Sequence, residues 1–488
     1  MNKIQKLAIV GGGTAGLVAA LTLQSRFGNI KFDLIRSKNI GIVGVGEGST
    51  EHWLNFMNFV DIDVVEVIKH CDSTYKLGIM FRGWTKEPYF HSAGFGYMNA
   101  IEQYFHVAGK LIGEGRPQKD LTAEYVWNNM VPENFVKNPR DHVGNQLHFN
   151  THKLNDFLSK VFVSRGGNII EDEVKEVVLD SNGNICKLKC ELSDYEHDFY
   201  IDSTGFKRLL MNQLGAKWES YSQYLKVNSA ITFQTEDTAN YNMYTIAQAM
   251  DAGWMFTLPV WGRHGNGYIF DSNYIDEKQA VREVETFLGK SIQVGKTFKF
   301  DPGCLENAWI KNCVAIGLSS SFIEPMEATS IGSSIQLSLM LVNSLINYDD
   351  KVIEKYNKSY KSVMHNIRDF VALHYITDRE DTQFWKDLKT IDIPPFLKEH
   401  LPKWKHKLPT REDFAGGSTY DMFMENNYIL CLHGLGLFDT DSIKHEYDSI
   451  SNSLKGSTER LLDTIKYKEQ MQGYVTHKEY IAGIRNMQ

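Results

Sequence analysis

The chain has 488 residues, 42% of them hydrophobic and 23% charged, with a net charge of −8. That length buries a large core and holds roughly two to three domain-sized units, and the acidic balance argues against a general nucleic-acid binder while leaving room for a local basic site. No uninterrupted apolar stretch is long enough to span a bilayer, the glycine-broken amino-terminal run is not a signal peptide, and the scattered cysteines, without zinc-type spacing, predict reduced thiols, no metal site and a cytoplasmic location.

Leu7 to Val10 reads as a buried strand, and a helix from Leu17 to Gln24 follows it. Between them Gly11, Gly13 and Gly16 stand in G-x-G-x-x-G spacing. Gly11 permits the tight turn, Gly13 lets a pyrophosphate approach the backbone, and Gly16 lets the helix pack close to the strand. A second strand, Phe32 to Ile35, lies at the expected distance, so the unit predicts dinucleotide binding. Arg36 stands where an acid for the ribose is expected; it contacts adenine or a phosphate instead, or is a solvated charge.

Farther along, Glu51 to His70 reads as helical and Asn150 to Arg165 as a helix. Gly167 to Val178 reads as a strand that turns at Asp180–Gly183 into its partner. Phe199 to Gly205 reads as a strand feeding a glycine turn. Val227 to Asn273 is strand-rich, and beyond Ser330 the pattern is mainly helical, with long runs at Ile335–Ile346 and Val352–Val371. An aromatic content of 12% suits a flat apolar ligand, although large cores use aromatics too.

Several segments together resemble the flavin-dependent halogenases, the tryptophan-halogenase-like family. They are Gly11 to Gly16 with Gly44 to Thr50, Thr74 to Ile79 with Phe81 and Trp84, Ile201 to Phe206, Gly253 to Pro259 with Gly265 to Tyr268, Asn312 to Ser319 running into Glu324 to Ile331, and Ile367 to Tyr375 with Arg379 to Trp385. They cover most of the chain up to about Trp385, in the family's order; the last hundred or so residues match loosely.

The resemblance implies an α/β fold: a Rossmann-type FAD-binding module with an interleaved strand-rich substrate region over residues 1–345, and a mainly helical, substrate-covering part over 346–488. It implies that FADH2, oxygen and a halide ion yield hypohalous acid, which reaches a lysine and halogenates an electron-rich aromatic ring. Lys76 matches that lysine, acting as a hydrogen-bonding ammonium or as a haloamine. Glu327 matches the glutamate that orients the halogen donor and takes the ring proton. Glu324, before Pro325, is expected in an extended or turn conformation with a structural role. Read without the resemblance, Lys76 and Glu327 are ordinary surface residues.

The implied cofactor contacts are Gly11, Gly13, Thr14, Ala15, Gly16, Arg36, Glu47, Asp202 and Gly317. Backbone amides of Thr329 and Ser330 are implied to cradle the halide; a helix N-cap is the plainer reading of the same residues. Trp254, Phe256 and Pro259 are implied to wall off the flavin, with Phe256 where the family usually has a second tryptophan. His374 and Tyr375 are expected to face the substrate; a packed core histidine is the other reading of His374. The tail Tyr428–Gly436 lacks the tyrosine pair with which relatives grip free tryptophan, which points to a smaller or differently shaped indole or phenol. A separate flavin reductase is implied, since there is no second nucleotide fingerprint; homo-oligomerisation is left open. The competing reading is a flavin-dependent aromatic monooxygenase; a flavin-binding protein without catalysis is a third.

Overall fold

A computed structural model describes residues 4–41, 44, 46–92, 101–133, 146–470 and 473–487. Val45, within the Gly44–Thr50 segment, lies outside them. The amino-terminal apolar run forms the strand Lys6–Val10, which pairs in parallel with Lys31–Arg36 on one side and Phe199–Asp202 on the other. Asn168–Glu171, Cys313–Ala315 and the antiparallel Trp309–Ile310 complete a six-stranded sheet.

Alternation sorts the residues of this sheet onto two cores. Leu7, Ile9 and Leu34 join the main core with the helix Thr14–Arg26. Ala8, Val10 and Ile35 face a second core beneath the hairpin Val174–Leu179/Ile185–Cys190 and the helix Leu209–Gln213.

A seven-stranded sheet runs in the spatial order Val294–Lys299, Ser229–Glu236, Arg263–Phe270, Gly253–Val260, Thr245–Met250, Gly78–Arg82, Tyr89–Ser92. Only Thr245–Met250 and Gly78–Arg82 pair in parallel. A small sheet of Glu47–Gly48, Gln146–Phe149 and Thr74–Lys76 stands beside it. The chain passes from the small sheet to the large one through Leu77 and Gly78. Gly78 has φ +152°, and a Cβ there would stand 2.2 Å from the carbonyl oxygen of His91, so only glycine fits this crossing.

Two expected elements divide. The segment Glu51–His70 is two helices, His52–Phe59 and Val64–His70. Asp61 takes a left-handed φ of 49° between them, and Asp63 caps the second by accepting from the Val65 amide. The Gly167–Val178 strand is two strands in two different sheets, Asn168–Glu171 and Val174–Leu179. Asp172 makes the break, accepting from the amides of Glu173, Leu192 and Ser193 and from the Tyr195 hydroxyl. The helix expected from Asn150 is Thr151–Ser164, capped by the Asn150 side chain.

Beyond residue 328 the chain is mainly helical, led by Thr329–Ser344 and Asp350–His374. These later elements are joined to earlier ones. The helix Glu425–Gly434 packs on Tyr89–Ser92, the strand Tyr474–Thr476 pairs with Met130–Pro132, and His477–Arg485 packs on Val64–His70. No helix among the described residues is long and apolar enough to cross a membrane.

Candidate active site

The glycine turn is built by close approach. A Cβ on Gly11, at φ +116°, would stand 2.2 Å from the Ser203 carbonyl oxygen, and one on Gly16 would stand 2.2 Å from that of Gly11. Gly13 differs: nothing lies within 4 Å of where its Cβ would be. The helix Thr14–Arg26 has no side-chain cap at Gly13, so its first amides have no side-chain acceptor at the turn. Open space in front of uncapped helix amides fits a pyrophosphate. Thr14 donates its hydroxyl to Asn155, and Ala15 packs where a Cβ on Gly317 would collide, at 2.4 Å.

Two residues expected at the cofactor carry structural bonds of their own. Arg36 pairs with Glu171 at 2.8 Å and donates to Ser159, its stem lying over Gly12. The strand Asn168–Glu171 supplies that counter-charge, so Arg36 is not an unpaired solvated charge. Asp202 is wholly buried and accepts from the Thr204 amide and hydroxyl, the Ser319 hydroxyl and the amides of Leu210 and Met211. Those donors saturate its carboxylate, which holds the turn after its strand and the start of the next helix.

A cavity of about 320 Å³ is lined by Gly46, Glu47, Gly48, Phe256, Leu258 and Ser330 among others. The Glu47 tip is buried with Oε2 unpartnered, and burial pushes its carboxyl up to about 7. An apolar slot with one acid able to donate a hydrogen bond fits the flat ring of a flavin.

Trp254, Phe256 and Leu258 share one strand face. Phe256 and Leu258 line the cavity, and Phe256 lies opposite Gly267, where a Cβ would stand 2.4 Å from the ring. Trp254 is buried deeper and donates its indole N–H to Glu324 at 3.0 Å. Pro259 accepts from the Thr74 hydroxyl through its carbonyl at 2.8 Å, tying this strand to the one that carries Lys76.

Lys76 is 2% exposed, and its Nζ donates to the Ser49 carbonyl at 2.6 Å. Burial lowers its pKa to about 8, with Glu327 and Glu51 pulling the other way. Glu327 sits in a turn bracketed by two left-handed residues, Glu324 at φ +30° and Ala328 at φ +55°. Of the extended or turn conformation expected before Pro325, Glu324 takes the turn. Burial alone would raise the Glu327 carboxyl; His91 and His374 outweigh it and hold the group low, at about 2. His91 Nδ1 lies 2.7 Å from Glu327 Oε2, and His374 Nε2 lies 2.9 Å from Oε1, off the hydrogen-bond line.

The sequence places His374 and Tyr375 toward a substrate, with a packed core histidine as the other reading of His374. Both turn onto glutamates instead: His374 onto Glu327, and Tyr375 onto Glu324, to which its hydroxyl donates at 2.6 Å. The end of one helix thus fixes both acids of the turn. Thr329 and Ser330 begin the helix Thr329–Ser344, whose N-cap Ala328 offers no side-chain cap. Both line a small cavity of about 10 Å³ beside Glu324 and Ser333, and Ser330 also lines the larger one.

The sequence model described as tryptophan halogenase matches residues 6–449. The chain belongs to the tryptophan halogenase family. It is 32% identical over 445 residues to the tryptophan 6-halogenase SttH of Streptomyces toxytricini, covering 84% of this chain and 85% of that protein. A solved flavin-dependent halogenase from Xanthomonas campestris superposes with a TM-score of 0.85 at 28% identity, covering 98% of each chain. A tryptophan halogenase structure from Shewanella frigidimarina shares the fold, with a TM-score of 0.90 at 23% identity over 99% of this chain and 98% of that one. This halogenase-family chain is accordingly a flavin-dependent enzyme of mixed α/β architecture.

Within the family framework, His91, Asn427 and Ser49 are site residues that sequence reading missed. His91 stands alone in the short strand Tyr89–Ser92, and Asn427 is 336 residues away from it in the chain. No local spacing links either of them to Glu327.

Proposed function

We propose that this enzyme halogenates an electron-rich aromatic, indole- or phenol-like, through Lys76 and Glu327. The observation that carries the reading is the buried Lys76, its Nζ held by the Ser49 carbonyl, together with the buried Glu327 carboxylate faced by two imidazoles. Bound FAD, delivered reduced by a separate reductase, supplies hypohalous acid from oxygen and halide. The uncapped amides of Thr329 and Ser330 suit the halide beside the flavin slot. Phe256 and Leu258 wall the slot, keeping the ring to be halogenated away from the flavin.

Lys76 holds the hypohalous acid by a hydrogen bond from its ammonium. As the ring carbon takes the halogen, the O–halogen bond breaks, and the leaving hydroxide takes a proton from Lys76 to become water. Glu327 stabilises the cationic ring and removes its proton, which returns to Lys76. A weak carboxylate base suffices because the cationic ring is a strong acid, and a lysine near pKa 8 is matched to giving up its proton. Tyr428 supports a substrate other than one gripped as free tryptophan, because it is wholly buried against Phe370, Trp404 and Phe414.

The test is product mass spectrometry with FAD, a flavin reductase, oxygen and chloride, bromide or iodide in parallel. The panel contains tryptophan, simple indoles and phenols. A halide-dependent mass gain on an indole or phenol is expected. A gain of one oxygen independent of halide would replace this reading with the monooxygenase.

A further inference from the structure

Tyr89, His91, His374 and Asn427, from three separated stretches of chain, converge on the Glu327 carboxylate. Their hydrogens can be placed from the outside inward. Asn427 Oδ1 accepts the Met424 amide at 2.8 Å, which only the amide oxygen can do. Asn427 Nδ2 therefore faces His91 Nε2, 3.0 Å away. An amide nitrogen only donates, so His91 Nε2 is an acceptor and carries no hydrogen. The neutral ring then bears its hydrogen on Nδ1, the atom 2.7 Å from Glu327 Oε2.

The second histidine runs the other way round. His374 Nε2 lies 2.9 Å from Glu327 Oε1; the contact is off the hydrogen-bond line, but a ring lone pair at that distance would oppose those of the carboxylate, so Nε2 bears the hydrogen. Its Nδ1 is left to accept from the Tyr89 hydroxyl at 2.8 Å. Tyr89 and His374 are almost wholly buried, and burial favours the neutral form of each.

We propose that Asn427 and Tyr89 are positioning residues that impose opposite tautomers on His91 and His374, so that two neutral imidazoles each present one N–H to Glu327 and hold it as an anion. Only the catalytic consequence rests on the halogenation reading; the protonation pattern stands apart from it. In that consequence Glu327 begins each turnover ionised, and it sheds the ring proton readily because both oxygens face N–H groups.

The test is the long-range 1H–15N spectrum of the full chain carrying 15N-histidine near pH 7.5, assigned with His91→Asn and His374→Gln. A neutral Nδ1–H pattern for His91 and a neutral Nε2–H pattern for His374 are expected. An imidazolium at either ring, or the same tautomer at both, would overturn the proposal. Asn427→Asp keeps an acceptor for the Met424 amide but presents an oxygen to His91, so a proton should appear on His91 Nε2 while the His374 signals stay put. Unchanged His91 signals would refute the role of Asn427. In turnover, His91→Asn, which retains an N–H near the place of Nδ1, should keep at least about tenfold more kcat than His91→Leu at similar FAD affinity; equal losses would contradict a donor role. The spectra need no turnover, so they can fail or succeed whether or not halogenation is found.

Discussion

Lys76 is held at a cost that its chemistry requires. Its folded pKa of about 8 lies below the ordinary 10.5, so the unfolded chain binds the extra proton between those values. Stability therefore rises with pH across that window, and below pH 8 the buried ammonium destabilises the fold by up to about 3 kcal/mol. Lys76→Met should raise the free energy of unfolding at pH 7 by about 1–3 kcal/mol in a denaturant titration; an unchanged or lower value would count against burial as the dominant influence. If the ammonium is the working form, kcat/KM for halogenation falls as pH rises through about 8. A rate climbing through the same pH would assign the work to the amine. Glu324 offers a second check. Its carboxyl, raised to about 7 by burial, accepts from both Trp254 and Tyr375. Glu324→Gln keeps an acceptor and should cost under about 1 kcal/mol, whereas Glu324→Ala strands two buried donors and should cost about 2–4 kcal/mol. The two glutamates stand three residues apart; Pro325 marks Glu324 as a turn residue, but no local signal says which donors each acid meets. What distinguishes them is which donors the rest of the fold brings: imidazoles to one, an indole and a phenol to the other.

The glycine turn and its flanking strand and helix are legible in the sequence, because Gly11 and Gly16 answer local steric demands and Gly13 stands at the spacing that leaves the cradle open. Gly11 and Gly13 also separate fold from function. Gly11→Ala drives a methyl into the Ser203 carbonyl and should destabilise the chain, whereas Gly13→Ala meets nothing and should leave the melting temperature within about a degree. Gly13→Ala should still weaken FAD by about tenfold or more in a fluorescence titration, since the methyl enters the cradle. Wild-type affinity in that variant would show the cradle to lie elsewhere. Breaks inside elements were harder to read. The strand split at Asp172 depends on amides twenty and more residues away, and the helix split depends on a left-handed Asp61 that no periodicity announces. The turn from Glu324 to Ala328 is of the same kind: its two left-handed ends aim Glu327 inward, and neither is a glycine.

Across the whole molecule, the site is assembled from both ends of the chain. The His477 imidazole accepts the Tyr75 amide at 3.2 Å, and Tyr480 stacks on Tyr75, so the last helix braces the residue next to Lys76. These contacts lie beyond residue 449, where the match to the family model ends; that model does cover the first part of the tail, residues 386–449, whose motifs resemble the family only loosely. A chain ending at residue 470 removes this brace and the strand paired to Met130–Pro132. It should unfold at lower denaturant and lose halogenation; wild-type stability would make the tail dispensable. The most direct test of the account follows flavin oxidation and halogenated product together in the wild type and in Lys76→Met. The account predicts that the variant oxidises flavin at the wild-type rate in halide and oxygen while halogenated product falls by at least about a hundredfold. Product formed by the variant at the wild-type yield and ring position would contradict transfer through Lys76.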